Sequence, residues 1–183
     1  MDGFHLTRAQ LATMPDPAHA AARRGAAFTF DAPAYLALVR ALREPVTPES
    51  TTVRAPSFDH AVKDPVEDDI AVGAGVRVVV FEGLYVAMGG EEWGEAAGLM
   101  DETWFVEVEE ARAKERLVRR HVASGIEKDR EAAARRAEEN DLVNGREILE
   151  RLVPHVTERI QSKEDDAWKP GAPDDAPGKD VQV

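Results

Sequence analysis

The chain contains no cysteine, which excludes disulfides, zinc–thiolate centres and thiol nucleophiles. Aromatic residues are sparse, at 6% of positions. No apolar run approaches the roughly 18 residues that a membrane-spanning helix needs, and the N-terminus has no apolar stretch of the secretory-leader kind. Positive charge is in deficit: 23 Lys and Arg face 35 Asp and Glu, a formal net charge of −12. That balance argues against nucleic acid or an anionic membrane as the main partner, although a local basic patch could still bind phosphates. The expectation is a soluble, cytoplasmic protein. The rest of the composition is ordinary: 43% hydrophobic and 32% charged residues over 183 positions, enough for one domain and too few for two comfortable ones.

The first half alternates helix signals with turn residues. "TRAQLATM" carries Thr7 as a cap and stops at Pro15. "PAHAAARRG" is a second short helix closed by Gly25. In "FTFDAPAYLALVRALRE", Asp31 caps a helix with Pro33 in its first turn, and Tyr35, Leu38, Val39 and Leu42 share one face. Between Thr51 and Val72 the sequence predicts two short strands joined by a Pro- and Asp-rich loop.

"VRVVVFEG", Val76 to Gly83, is almost continuously β-branched and apolar. Such a run predicts a strand buried on both faces, as in a parallel α/β sheet. "ETWFVEVE" is a second strand of the same kind, with a helix around Glu91 to Ala97 between them. The Arg-rich "EEARAKERLVRRHVASG" then runs to a terminator at Gly125, and "KDREAAARRAEENDLVNG" starts from an Asp129 cap. Asn140, Asp141 and Asn144-Gly145 read as the cap and turn of a helix hairpin. "HVTERIQ" alternates as a last strand. Residues 162–183 are polar, acidic and rich in Pro and Gly, the composition of a disordered tail. Strands alternating with helices make residues 1–161 an α/β domain.

Three pieces, "DGFH" at the N-terminus, "VVVFEGLY" in the middle and "RLVRRHVASG", together resemble the uridine kinase, phosphoribulokinase and pantothenate kinase branch of the P-loop kinases. "APSFDHAVKDP" is similar to that branch's substrate-binding hairpin, and "ENDLVNGREI" to the segment after the lid in uncharacterised kinase-like members. The resemblance covers roughly Asp2 to Lys163. It implies a parallel sheet with helices on both faces and a lid over about 112–145. It also implies ATP with Mg²⁺ as cofactors and a small-molecule acceptor as partner.

In that family the Asp-containing motif closes the second strand, after a first strand, a phosphate-binding loop and a helix. None of these lies within the 183 residues. A G-x-x-x-x-G-K-[S/T] loop cradles phosphates with backbone amides while its Lys reaches the terminal ones. The one Gly-Lys pair, Gly178-Lys179, is followed by Asp180 and has Pro173 where the first Gly belongs. Gly73 and Gly75 precede a strand instead of following one. The family's first strand is central, flanked by the "FEG" and "WFVEV" strands. Roughly six buried apolar residues there would be worth on the order of 10 kcal/mol, against total stabilities of about 5–15 kcal/mol. A truncated gene model is the simpler expectation; a genuine short relative is the other.

The resemblance assigns roles residue by residue, and each has a plainer alternative. Asp2 would accept the acceptor's hydroxyl proton or help place Mg²⁺; otherwise it is a solvated terminal Asp. Phe4 and His5 would line the acceptor pocket, Phe4 alternatively by simple packing. Glu82, at the carboxyl end of its strand, would hold Mg²⁺ directly or through its water shell, or merely cap a helix. Phe58, Asp59, His60 and Lys63 would bind the acceptor, or serve ordinary turn chemistry. Arg116, Arg119 and Arg120 fall at i, i+3 and i+4, on nearly one side of a helix. Guanidinium groups suit phosphate oxygens, so these arginines would act from the lid, or else pair with neighbouring acids.

The function implied is transfer of the γ-phosphoryl group of ATP to a hydroxyl of a nucleoside, a pantothenate-like compound or a sugar. The chain as written is expected to be inactive without the missing segment. The alternative is a non-catalytic binding module that keeps the acceptor pocket.

Overall fold

A computed structural model describes residues 1–164 of the chain; most of the expected acidic tail, from position 165 on, lies outside the described residues. After a turn at Asp2–Phe4 come three helices, α1 (Arg8–Ala12), α2 (Pro17–Ala22) and α3 (Ala32–Arg43). Each begins where a side chain satisfies an otherwise orphaned amide. Thr7 and Gln10 form a reciprocal capping box on α1, Asp16 accepts from His19 N–H at 2.9 Å, and Asp31 accepts from Ala34 N–H at 2.9 Å.

Strands β1 (Val53–Asp59) and β2 (Asp64–Val72) form the expected antiparallel hairpin, with a bulge between Ala55 and Ser57. Its tip is held by Asp59, whose Oδ1 accepts from the amides of Ala61 and Val62. Lys63 closes the turn in the left-handed region at φ 61°. Helix α4 (Glu91–Gly98) precedes β3 (Trp104–Glu107), which pairs in parallel with β4 (Glu158–Gln161). Between these strands lie α5 (Glu110–Ala123), α6 (Arg130–Arg136), a π-helical turn (Ala137–Asp141) and α7 (Leu142–Glu150).

Two sequence expectations are corrected. Val76–Phe81 is not a strand buried on both faces: it has no strand partner among the described residues, and Val78 and Val80 are 77% and 84% exposed. β-Branched residues favour extended backbone, but a strand exists only through its neighbours' hydrogen bonds. β3, expected to be buried on both faces as well, has Trp104 and Val106 exposed, and its edge away from β4 is likewise unpaired among the described residues. These are the two segments that the resemblance expects to flank a central strand. The second correction concerns Asn144-Gly145, which is no turn. Both residues lie inside α7, and Asn144 is 3% exposed. The π-helical turn, where a helix hairpin was expected, carries the chain from α6 into α7 without reversal.

The core is an aromatic cluster. Phe4, Phe30, Tyr35, Tyr85 and Trp93 are buried together with Leu36, Val39, Met88 and Ile148. Phe4 meets Tyr35 edge-on at 5.4 Å, and Tyr35 meets Phe81 edge-on at 5.6 Å, geometries that suit ring quadrupoles. Ile148 ties α7 to this core, and the Met88–Leu152 bridge adds a backbone link.

Candidate functional site

The N-terminal turn docks on the end of the apolar segment. The Met1 ammonium donates to the Glu82 carbonyl at 2.7 Å. The Met1 side chain lies so close to Gly83 that a Cβ there would come within 1.9 Å of Met1 Cγ. Asp2 and Glu82, far apart in sequence, are thereby brought to neighbouring positions, both exposed. Gly3 sits against β1 just as tightly, since a Cβ would fall 2.0 Å from the Pro56 carbonyl oxygen. The glycines of "DGFH" and "FEG" are needed for close approach.

His5 lies beside two aromatic rings, with centroids 4.0 Å from Phe30 and 5.0 Å from Phe58. Its Nδ1 is 2.8 Å from the Asp2 carbonyl oxygen; a carbonyl only accepts, so Nδ1 carries the proton. Burial lowers the His5 pKa against the pull of the nearby Asp2 carbonyl and carboxylate. Phe58 continues the aromatic row to His60 at 5.2 Å. Phe4 is buried on Tyr35, and it also contributes to the wall of an open cleft of about 400 Å³. That cleft runs between the Gly3–Thr7 segment, the Ala34/Leu38 side of α3 and the Arg54/Pro56 side of the hairpin.

Residues that sequence reasoning passed over hold this arrangement. Asp64, at the start of β2, accepts from Arg8 N–H and from the Arg24 guanidinium, both at 2.9 Å. Burial alone would raise the Asp64 carboxyl, but the Arg8 amide and the two guanidinium groups outweigh it and hold the pKa below the ordinary aspartate value. Arg24 also donates to Lys63 O at 2.6 Å and Leu6 O at 3.1 Å, and its guanidinium lies 5.7 Å from the Phe58 ring centroid. The only signal in sequence was the doubled Arg23-Arg24 before Gly25.

The predicted lid arginines lie elsewhere. Arg116 donates to Glu164 at 3.0 Å and Ser162 Oγ at 2.7 Å, and Arg119 approaches Glu164 at 4.0 Å. Arg120 is exposed. His121, on the same helix, is buried with Nε2 3.6 Å from Asp141. The structure therefore gathers Asp2, Glu82, Phe4, His5, Phe58 and His60 around the N-terminal turn. It holds Asp59 in the hairpin turn and Lys63 at its tip, and sets Arg116 and Arg119 beside the end of β4.

ATP and Mg²⁺ need a phosphate cradle and a metal-binding set. Magnesium in kinases takes one or two carboxylates and completes its shell with phosphate oxygens and water. Among the described residues no group of three or more His, Cys, Asp or Glu could hold a metal ion, and no phosphate loop occurs in the sequence. The residues present do not fit the nucleotide–metal pair by themselves.

The fold is that of the P-loop kinases. The crystal structure of YFH7 from Saccharomyces cerevisiae, titled "a putative P-loop containing kinase with a circular permutation", superposes with a TM-score of 0.76 at 29% identity, covering 90% of this chain and 57% of that one. A "putative fructose transport system kinase" from Silicibacter sp. TM1040 gives 0.75 at 31%, covering 87% and 71%. No protein-family model matches the chain. "ATP-dependent kinase-like protein notR'" of Aspergillus versicolor is 54% identical over 154 residues, 84% of this chain and 90% of that relative. "Putative uridine kinase C227.14" of Schizosaccharomyces pombe is 40% identical over 144 residues, 79% of this chain and 60% of its own length. The chain belongs to this family of uridine-kinase-like, ATP-dependent kinase-like proteins. It spans nine-tenths of the first relative and about three-fifths of the second.

Proposed function

We propose that the chain is the acceptor-binding and lid portion of a P-loop kinase that phosphorylates a hydroxyl of a small metabolite with ATP. The observation that supports this reading is the docking of Met1 on the Glu82 carbonyl, which brings Asp2 and Glu82 to neighbouring positions. In that setting Asp2 takes the hydroxyl proton, and His5, Phe58 and His60 surround the acceptor. The open edges of Val76–Phe81 and β3 support an additional strand between them. The acceptor is a nucleoside, a pantothenate-like compound or a sugar. The relatives' names, an ATP-dependent kinase-like protein and a uridine kinase, support ATP as donor.

Calorimetric titration of the 183-residue chain with uridine, pantothenate and fructose tests the acceptor half without ATP. At least one compound is expected to bind, and Phe58→Ala is expected to weaken it about tenfold. Failure of all three classes to bind would sink the reading.

A further inference from the structure

The two arginines that follow α2 point to opposite sides of the molecule. Arg24 spans Leu6 O, Lys63 O and Asp64, and so grips the hairpin and the N-terminal turn. Arg23 reaches the other way, donating to Glu139 O at 2.9 Å and to Asn144 Oδ1 at 2.6 Å. Glu139 lies in the π-helical turn, where the i to i+5 pattern disturbs the regular pairing of carbonyls. Gly25 is shared as well: its carbonyl accepts from Tyr85 OH at 2.7 Å and from Asn144 Nδ2 at 3.3 Å.

The three residues sit on a stiff turn. Gly25 N–H donates to Thr29 Oγ1 at 2.9 Å, Thr29 Oγ1 donates to Ala26 O at 2.8 Å, and Ala26 N–H donates to Arg23 O at 2.8 Å. Thr29 and Ala26 are buried. Meanwhile the hairpin packs chiefly on the Asp2–Phe4 turn and α3, whereas α5, α6 and α7 pack chiefly on one another. Besides Ile148 in the shared core and the backbone contacts of residues 87–89 with 151–153, polar reach from this turn joins the two groups.

We propose that Arg23-Arg24-Gly25 is a positioning joint that couples the hairpin to the α6–α7 helices, so that loosening one side loosens the other. Its relevance to acceptor capture and lid closure rests on the function proposed above; the coupling itself does not. Among the described residues Asp64 and Asn144 have no direct hydrogen bond to each other, and the joint bonds to both. Substitutions at sites without shared partners act additively, and those within one network do not.

The test is a cycle of Asp64→Asn, Asn144→Ala and the double variant in the full chain, read by urea unfolding and by hydrogen exchange. The joint predicts that Asp64→Asn speeds amide exchange in residues 137–150 as well as in the hairpin. It also predicts a double-variant unfolding constant at least threefold away from the product of the single effects. Additive effects with exchange changes confined to each variant's own side would overturn it. Should Asp64→Asn prevent folding, Arg24→Lys, which keeps the charge and loses the forked reach, takes its place. The cycle uses no ligand, so its result stands even if the acceptor titrations fail.

Discussion

The α-amino group of Met1 donates to the carbonyl oxygen of Glu82 at 2.7 Å, joining residues 81 positions apart. The contact brings Asp2 and Glu82, both exposed, to neighbouring positions.

The hairpin's hold on this site depends on pH. Asp64 has its pKa depressed in the folded state, since its amide and guanidinium partners prevail over burial. A depressed carboxylate adds stability that is present above its unfolded pKa, about 4, and is lost as pH falls through the folded value. Protection factors of the amides in residues 53–72 are therefore expected to fall below about pH 4, and in Asp64→Asn to be low already at pH 7. Equal pH profiles for the two proteins would contradict the role given to Asp64.

Two buried tyrosines should respond oppositely to loss of the hydroxyl. Tyr35 OH is buried without a hydrogen-bond partner among the described residues, whereas Tyr85 OH donates to Gly25 O at 2.7 Å. Tyr35→Phe is expected to be neutral or stabilising, and Tyr85→Phe to cost about 1 kcal/mol. Urea unfolding of both variants checks this; equal losses would show that the hydroxyls are not so differently placed.

Gly3 has no room for a side chain. A Cβ would press on the Pro56 backbone, which yields only if the hairpin moves. Gly3→Ala should cost about 1–3 kcal/mol, the usual range for overpacking, and displace β1 in amide NMR shifts. A fully stable variant with unshifted β1 amides would be the contrary result.

Much of this was legible locally. Thr7, Asp31 and Asp129 cap helices as their spacing suggests, because a cap is settled within four residues. The hairpin between Val53 and Val72 was legible for the same reason. The Val76–Phe81 segment was not, since β-branched composition expresses a preference that only a neighbouring strand can realise. Asn144-Gly145 misled because a two-residue turn signal gave way to a helix whose Asn reaches Arg23. At the site, "DGFH" and "FEG" pointed to Asp2 and Glu82 through resemblance. Arg24 and Asp64, forty residues apart, make no local pattern, and their pairing became visible only in three dimensions.

The exposed face of Val76–Phe81 gives a prediction that distinguishes this chain from a longer one. Val78→Thr with Val80→Thr removes little buried surface here and should change the midpoint of thermal unfolding of the 183-residue chain by less than about 2 °C. In a chain extended by an N-terminal strand, the same pair of changes should lower it by several degrees. Equal effects in both chains would mean that no strand packs on this segment.

The most direct measurement is ATP-dependent phosphoryl transfer to the acceptor that binds best. It would be made with the 183-residue chain and with the same chain preceded by the strand, phosphate loop and helix of a longer relative. No turnover above background is expected from the first, and turnover from the second that is lost on Asp2→Asn. Turnover by the 183-residue chain alone would contradict the proposed division of labour, as would an extended chain that binds ATP and acceptor yet transfers nothing.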